Sequence, residues 1–432
     1  MNEILKLSGI AQARLIREGE ISSAELIAAH LARIEEVNPK LNAAIEVLPP
    51  SASYDVDGPL SGVPFSVKDS IEVEGTVCSA GTLGYRHRPR SKCDATLVAR
   101  LRHAGAIPIA RTNLPDLLFA FESDNLIFGR TNNPYDLSRT SGGSSGGEAA
   151  LIAACGSPFG LGSDAAGSVR LPAHYCGIAS LKPTSGCLPR EGHIPPAGGW
   201  IEMLWQIGPM ARRVEDLIAM MPILIGEARR EFSPVPSPRI AFFTDNGILP
   251  ADPDTARTVR AAARALESEG LIVEERRPPC IDQSYDLEMK FIGPDGGDGL
   301  REFLRSIGSD RTHPLLEGWL GKLEPYRTDL AGFTRYWAEL DRFRAEMRAF
   351  LDGYDAILSP VAAQPAVPHG MSIDDSVFPG FSYTMTYNLT GWPAAVVRCG
   401  TSGAGLPIGV QIAQRLETLL GGWTGGIACP TF

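Results

Sequence analysis

Lysine is scarce in this chain of 432 residues. Only seven of its forty basic residues are lysines, at positions 6, 40, 68, 92, 182, 290 and 322. Arginine keeps its proton in proteins, whereas lysine can lose it when burial lowers its pKa. A mechanism that needs lysine as the proton acceptor therefore has few candidates. No lysine has a serine three residues before it, which excludes the S-x-x-K motif of β-lactamases.

The cysteines and histidines also lack a metal-binding or redox pattern. The eight cysteines stand at positions 78, 93, 155, 176, 187, 280, 399 and 429. No two of them have C-x-x-C spacing, and the chain contains no H-E-x-x-H motif. We therefore expect free thiols in a reducing compartment, and a protein that needs neither a metal nor another cofactor.

Long apolar runs and a surplus of positive charge are absent too. No stretch approaches the roughly 18 apolar residues of a membrane-spanning helix, and the residues after Met1 do not resemble a signal peptide. The net charge of −10 argues against nucleic acid or an anionic membrane as a partner. We expect a cytoplasmic protein without a membrane anchor, a monomer or homodimer, whose partner is a small-molecule substrate.

Short apolar runs alternate with helical patterns, which predicts an α/β fold with a helix-flanked, largely parallel or mixed sheet. The runs expected to be strands are residues 62–68, 106–110, 240–243, 355–358, 394–397 and 409–412. Helical patterns cover residues 95–103, 148–154, 200–226 and 254–268, and the variable region at about 281–350. Because no repeat or clear linker interrupts the chain, we expect one domain over residues 1–432.

A first helix is marked at both ends. Ser22 and Glu25 form an S-x-x-E capping box, the pattern that satisfies the free N–H groups of a first helical turn. An apolar stripe at positions 27, 31, 34 and 37 follows. The residue before a proline avoids helical geometry, so Asn38-Pro39 should end this helix.

Two clusters of small residues carry the strongest chemical signal. The first, Ser141 to Glu148, leads directly into an apolar helix, which disfavours a flexible linker. The second, Gly160 to Arg170, places a run of small residues before Ser168. Successive backbone N–H groups in such a run can point at one spot, as an oxyanion hole requires. A tight turn packed in the core is the alternative explanation for the second cluster.

The first cluster also matches the nucleophile elbow of α/β-hydrolases. Residues 142–146 and 143–147 both read G-x-S-x-G. That elbow follows a strand, and residues 131–141 make a poor strand. It also needs a downstream histidine, and the candidates have no distinctive context: His174, His193, His313 and His369. We therefore disfavour this interpretation.

Together with their flanks, the two clusters resemble the amidase signature family. The resemblance rests on residues 142–148, 162–173 and 176–184, with supporting pieces at 62–69, 111–113, 128–134, 388–394 and 406–412. It runs from about residue 5 to 415 and is weakest between 230 and 350. It implies an α/β fold in which helices flank both faces of a large mixed central sheet. Residues 125–129 and 146–152 look more like fatty-acid-amide-hydrolase-like members than amidotransferase subunits.

The resemblance implies a Ser-cisSer-Lys triad. Ser168 matches the nucleophile, and Ser144, whose peptide bond to Gly143 is cis in the family, matches the bridging serine. Lys68 matches the ultimate base. A lysine can take this role only if its surroundings lower its pKa, and a serine hydroxyl can relay a proton because it both donates and accepts.

The resemblance also implies the groups around the triad. Backbone N–H groups correspond to the oxyanion hole at Ala165, Ala166, Gly167 and Ser168. Substrate-binding positions correspond to Leu118, Gly142 and Gly143. Ala166 departs from the glycine usual in the family, so its methyl group narrows the space above the hole. The last helix is in doubt as well, because glycines interrupt the pattern after residue 416.

The expected function is hydrolysis of small or medium amides through an acyl-enzyme. Carbamates (urethanes), anilides and esters present similar carbonyl groups and remain plausible substrates. Residues 281–350, with residues near 118 and 190–205, are expected to choose among them. Two alternatives stay open, a glutaminase-type subunit of a tRNA-dependent amidotransferase and a non-catalytic binding relative.

Overall fold

The computed structural model describes residues 3–49, 57–196, 198–226 and 237–413. Within these residues, one eleven-stranded sheet runs through the molecule in the order β1-β3-β2-β4-β6-β5-β10-β11-β9-β7-β8. The strands are β1 (Ala44–Val47), β2 (Pro64–Lys68), β3 (Ile107–Thr112), β4 (Phe159–Asp164), β5 (Ala179–Lys182), β6 (Gln206–Ala211), β7 (Arg239–Phe242), β8 (Ile272–Glu275), β9 (Ala356–Pro360), β10 (Ala394–Thr401) and β11 (Pro407–Ala413).

The sheet is mixed. β2 runs parallel to β3 and β4, and β7 runs parallel to β8 and β9, whereas the other neighbours pair antiparallel. The α-helices are α1 (Gly9–Arg17), α2 (Ser23–Leu41), α3 (Thr96–His103), α4 (Gly146–Ala153), α5 (Arg170–Cys176), α6 (Val214–Ile225), α7 (Pro253–Ser268), α8 (Ser284–Ile292), α9 (Asp298–Ser306), α10 (Pro314–Leu323), α11 (Leu330–Leu351) and α12 (Ser382–Leu389).

Helices cover both faces of the sheet. Side chains of a strand alternate between its two faces. On β6, Ile207 and Ala211 belong to one apolar cluster with helices α3 and α6, while Met210 belongs to another with α2, α4 and α5. The two clusters therefore lie on opposite faces, and the predicted α/β fold with helices on both faces of a mixed sheet is confirmed.

Most predicted elements are present, but two predictions were wrong. The helical pattern at 200–226 contains the strand β6, which is fully buried and pairs with β4 and β5 on its two edges. Asn38-Pro39 does not end α2, which continues to Leu41 and stops at Asn42 in the left-handed conformation. The Asn38 side chain accepts the N–H groups of residues 43 and 44, which closes the last turn after the proline.

The variable region is helical, as predicted, and comprises α8 to α11. Its helices pack on one another and on α12 around a largely apolar and aromatic cluster. The doubtful last helix, after residue 416, lies outside the described residues. Within the part of the chain that is described, no helix is long and apolar enough to cross a membrane.

Candidate active site

Lys68 is the point on which three segments of the chain converge. It is the last residue of β2, and its side chain is fully buried. Its Nζ lies 2.7 Å from the hydroxyl of Ser144 and 3.0 Å from the hydroxyls of Ser145 and Ser163. Ser163 belongs to β4, the parallel neighbour of β2, and the other two serines directly precede α4. The fold therefore surrounds one lysine with three serine hydroxyls.

Burial holds the pKa of Lys68 well below its ordinary value. The negative charges of Asp164 and Glu148 oppose this shift without cancelling it. No carboxylate lies within ion-pair distance of Lys68 in the part of the chain that is described. The lone pair of a neutral lysine can accept a proton, so this setting is suited to general-base chemistry.

The glycines before Ser144 allow the chain to pass very close to its neighbours. The Gly143–Ser144 peptide bond is cis, and Gly142 has a φ of +85°. A Cβ atom on Gly143 would lie 2.5 Å from the Ala120 carbonyl oxygen and from the Glu122 backbone nitrogen. Glycine is therefore required where this segment passes residues 120–122.

A buried ion pair fixes the loop that carries Ser168. The carboxylate of Asp164, at the end of β4, accepts the Gly167 N–H at 2.8 Å and the Val169 N–H at 3.2 Å. Arg170 contacts the same carboxylate at 2.9 Å. Burial raises the pKa of Asp164, but the Arg170 charge and hydrogen bonds outweigh it and hold the pKa below its usual range. The loop 164–170 is thus closed around one ionised carboxylate.

Three of the four predicted oxyanion-hole donors are available. Among the described residues, the backbone N–H groups of Ala165, Ala166 and Ser168 have no protein acceptor. The N–H of Gly167 differs, because it already donates to Asp164. Gly167 has a φ of +125°, and a Cβ atom there would lie 2.3 Å from Thr384 Oγ1. This close packing keeps the loop in the conformation in which the Gly167 N–H points at Asp164 and away from the predicted oxyanion hole.

Ser144 and Ser168 line a common cavity. Apart from the two serines, its lining residues are Leu118, Phe119, Ala120, Phe121, Ala165, Ala166, Ile201, Trp205, Ile292 and Trp319. Leu118 lies on the cavity wall, whereas Gly142 and Gly143 pack behind it, against Pro172 and residues 120–122.

The sequence did not point individually to seven of the wall residues, namely Phe119, Ala120, Phe121, Ile201, Trp205, Ile292 and Trp319. Trp205 precedes β6, Ile292 ends α8 and Trp319 lies on α10. The only signal of the seven was that they lie near residue 118 or in the regions 190–205 and 281–350, which were expected to influence substrate choice.

The four candidate histidines make contacts other than those needed to activate Ser144 or Ser168. Nδ1 of His174 accepts the Gly409 N–H at 2.8 Å, and His193 lies between Arg190 and Ser70. His313 and His369 contact Asp124 and the Leu137 carbonyl group. Within the described residues, no histidine bonds Ser144 or Ser168, and no strand leads directly into residue 142, since β3 already ends at Thr112. This arrangement does not match a nucleophile elbow.

Comparison with known proteins gives a consistent picture. A family model described as Amidase matches residues 25–416. The chain is 33% identical to fatty-acid amide hydrolase 2-A of Danio rerio, over 98% of this chain and 90% of that protein. It is 32% identical to a glutamyl-tRNA(Gln) amidotransferase subunit of Lachnospira eligens, over 95% and 94%. The structure of 6-aminohexanoate cyclic dimer hydrolase complexed with substrate superposes with a TM-score of 0.82, at 27% identity over 96% and 94%.

Proposed function

The chain belongs to the amidase family, and from this premise we propose that it cleaves amides through an acyl-enzyme on Ser168. Its relatives support hydrolysis of carbon–nitrogen amide bonds as the class of its activity. The resemblance found in the sequence is confirmed, including the likeness to fatty-acid amide hydrolases.

The proposed mechanism moves one proton along the triad. Neutral Lys68 takes the proton of Ser144, which takes that of Ser168 as the Ser168 oxygen attacks the substrate carbonyl carbon. The amine leaves with a proton returned through Ser144, and water then releases the acid from Ser168 by the same route. The observation that carries this proposal is the 2.7 Å contact between the buried Lys68 and Ser144, because Ser144 and Ser168 line the same cavity.

Charge develops on the substrate oxygen during attack. The N–H groups of Ala165, Ala166 and Ser168, which have no acceptor among the described residues, are the proposed donors to that oxygen. Gly167 can join them only if its bond to Asp164 breaks. A loop already fixed by Asp164 has little reorganisation left to do when the charge appears.

The wall of the cavity favours an apolar substrate. Apart from the two serines, its lining side chains are aliphatic or aromatic. Phe119 packs edge-on against Trp205 at 6.2 Å and Trp319 at 6.0 Å between ring centroids. We therefore propose small or medium amides with an apolar acyl or aryl group, and we include anilides, carbamates (urethanes) and esters, whose carbonyl groups the same triad can attack.

Substrate choice is assigned to the variable region, residues 281–350, of a single domain. Ile292 and Trp319 bring two of its helices to the cavity that holds both serines. Specificity commonly resides in segments added to a shared core. The rest of the proposal is a cytoplasmic monomer or homodimer that uses no metal or cofactor.

The two alternative functions receive less support. A glutaminase-type amidotransferase subunit would bind a substrate with a charged amino acid end, and none of the described residues that line this cavity has a charged side chain. A non-catalytic relative would not need a fully buried lysine in contact with Ser144.

The test is a series of p-nitroanilides with increasing acyl length, together with a carbamate and an ester. Intact-protein mass spectrometry after rapid quenching should show one added acyl group, which peptide mapping should place on Ser168. Ser168→Ala should lose this adduct and turnover. Ser141→Ala is the matched control, since the Ser141 hydroxyl lies in the same glycine–serine cluster but has no partner among the described residues. Turnover by Ser168→Ala at a tenth of the wild-type rate would refute the proposal.

A further inference from the structure

The buried charged side chains around the two clusters of small residues do not all form an ion pair with a described residue. Two carboxylates form ion pairs with arginines, namely Asp69 with Arg111 at 3.0 Å and Asp164 with Arg170 at 2.9 Å. Lys68 and Glu148 are also fully buried, yet neither forms an ion pair with a described residue. Burying an isolated charge is costly, so a buried acid and a buried base near each other are expected to share their protons.

The side chains that hold Glu148 lie directly beside Lys68. Both carboxylate oxygens of Glu148 accept hydroxyl groups, one from Ser66 and the other from Thr112 Oγ1 at 2.7 Å. Ser66 precedes Lys68 by two residues on β2, so the two side chains leave the same face of the strand. Thr112 is the register partner of Lys68 on β3. The geometry thus brings the carboxyl group next to the lysine without contact.

We infer that Glu148 is a positioning residue. Its carboxyl group lies near Lys68 without contacting it, and the charge on that carboxyl group controls whether Lys68 is protonated. The inference rests on the proposed function, in which Lys68 is the base. When Glu148 is ionised, its charge favours the protonated, inactive lysine. When Glu148 carries the proton, Lys68 is neutral and can accept the proton of Ser144. The two groups should therefore titrate as a coupled pair.

The pKa directions agree with this arrangement. Burial raises the pKa of Glu148 to about 7, although Ser66, Thr112, Arg111 and Lys68 all act to lower it. Burial lowers the pKa of Lys68, against the charges of Asp164 and Glu148. Both shifts favour the uncharged form of the group, which is a protonated Glu148 carboxyl and an unprotonated Lys68 amine.

Other titratable groups near the pair do not take this role. Asp164 is held ionised by Arg170, and Asp69 pairs with Arg111. His193 has its pKa lowered by burial and by the Arg190 and Lys68 charges. Farther out, beyond Asp164, a second buried combination consists of Lys182 and Glu288. Among the described residues near Lys68, Glu148 is thus the buried group without an ion-pair partner whose pKa lies at about 7.

The test measures how fast a fluorophosphonate modifies Ser168 between pH 5 and pH 10. This probe reports activation of the serine and requires no knowledge of the substrate. In Glu148→Gln, Lys68 loses a negative neighbour, so its pKa falls. We expect the midpoint of the rate–pH curve to move to lower pH by roughly one unit, so that labelling at low pH is a larger fraction of the plateau rate than in the wild type. A purely structural role would lower the rate without moving the midpoint.

Two further variants keep the test decisive. Thr112→Val removes one hydroxyl donor to the carboxylate, which favours the protonated Glu148 and should move the midpoint in the same direction by less. Glu122→Gln is the control, since Glu122 is also buried but accepts the N–H groups of residues 370 and 372. Its midpoint should stay at the wild-type value.

The outcomes separate the inference from the proposed function. An unchanged or raised midpoint in Glu148→Gln, or in Thr112→Val if the first variant does not fold, overturns the role of Glu148. If the folded wild-type protein fails to react at Ser168 at every pH, the proposed function fails, and the role of Glu148 fails with it.

Discussion

The two sides of the candidate active site are held together by different forces. On the side of Lys68 and loop 164–170, buried polar groups bond to specific partners, as in the five donor atoms that converge on the Asp164 carboxylate. On the side of α8 and α10, apolar and aromatic side chains pack around an open volume. Hydrogen bonds fix both distance and direction, whereas apolar contacts mainly fix volume. The polar side should therefore tolerate few changes, and the apolar side can change substrate preference without loss of the chemistry.

Two neighbouring serines provide the most severe test of the claim that the polar side tolerates few changes. Both Ser144 and Ser145 contact Lys68, but the Ser145 hydroxyl also donates to the Ser163 carbonyl group, and only Ser144 lines the cavity. We expect Ser144→Ala to lower kcat by roughly 10²–10⁴-fold, the usual worth of a proton-transfer group. Ser145→Ala should cost much less. Equal losses in the two variants would show that the relay is not specific to Ser144.

The next effect concerns the ion pair that holds the Ser168 loop. Asp164→Asn leaves the Arg170 charge buried without its partner, so the free energy of unfolding should fall by about 3 kcal/mol. Because the loop then loses its fixed form, kcat should fall as well. Urea unfolding and steady-state kinetics measure the two quantities. Asp298→Asn, on the exposed start of α9, is the control, and a loss as large in that variant would contradict the special position of Asp164.

A smaller effect is expected on the apolar side. Ile292→Ala enlarges the cavity, so the kcat/KM ratio of a longer to a shorter acyl p-nitroanilide should rise about tenfold. The fluorophosphonate labelling rate of Ser168 should stay near the wild-type value. Ile272→Ala, at an exposed position on β8, is the control. A fall in labelling as large as the change in preference would show that the two sides are not separable.

Metal removal is expected to change nothing. The proposed base is a lysine, and the sequence offers no H-E-x-x-H or C-x-x-C pattern. Activity after dialysis against a chelator should equal that of the untreated protein. Loss of activity that zinc restores would contradict the account.

The sequence was most informative where chemistry or burial leaves a local pattern. The two serines of the proposed triad stand in two long clusters of small residues, Lys68 ends a short apolar run, and most strands are short apolar runs. β6 escaped notice because Gly208 and Pro209 interrupt a run between helical patterns, although neighbouring strands pair with both of its edges. α2 passes Pro39 because the Asn38 side chain satisfies the backbone beyond it.

Contacts between residues that are far apart in the sequence left no such local pattern. Ser163 contacts Lys68 because β4 lies parallel to β2, which no local signal reveals. Ile292 and Trp319 meet at the cavity because two helices of the variable region pack over it. Nothing in the sequence around Gly167 indicated that its N–H turns towards Asp164. The sequence thus named the residues that are proposed to act, and the structure was needed to see which residues surround them.

The central claim is that Lys68 works as a neutral base. The most direct measurement is amidase activity from pH 6 to pH 10 in Lys68→Arg and Lys68→Ala, beside alanine variants of His174, His193, His313 and His369. Since burial lowers the pKa of Lys68, wild-type activity should rise as pH rises through that pKa and the lysine loses its proton. Both Lys68 variants should be inactive throughout, since a guanidinium keeps its proton, and folded histidine variants should keep the wild-type pH profile. Near-normal activity in Lys68→Ala, with collapse in one histidine variant, would contradict the account.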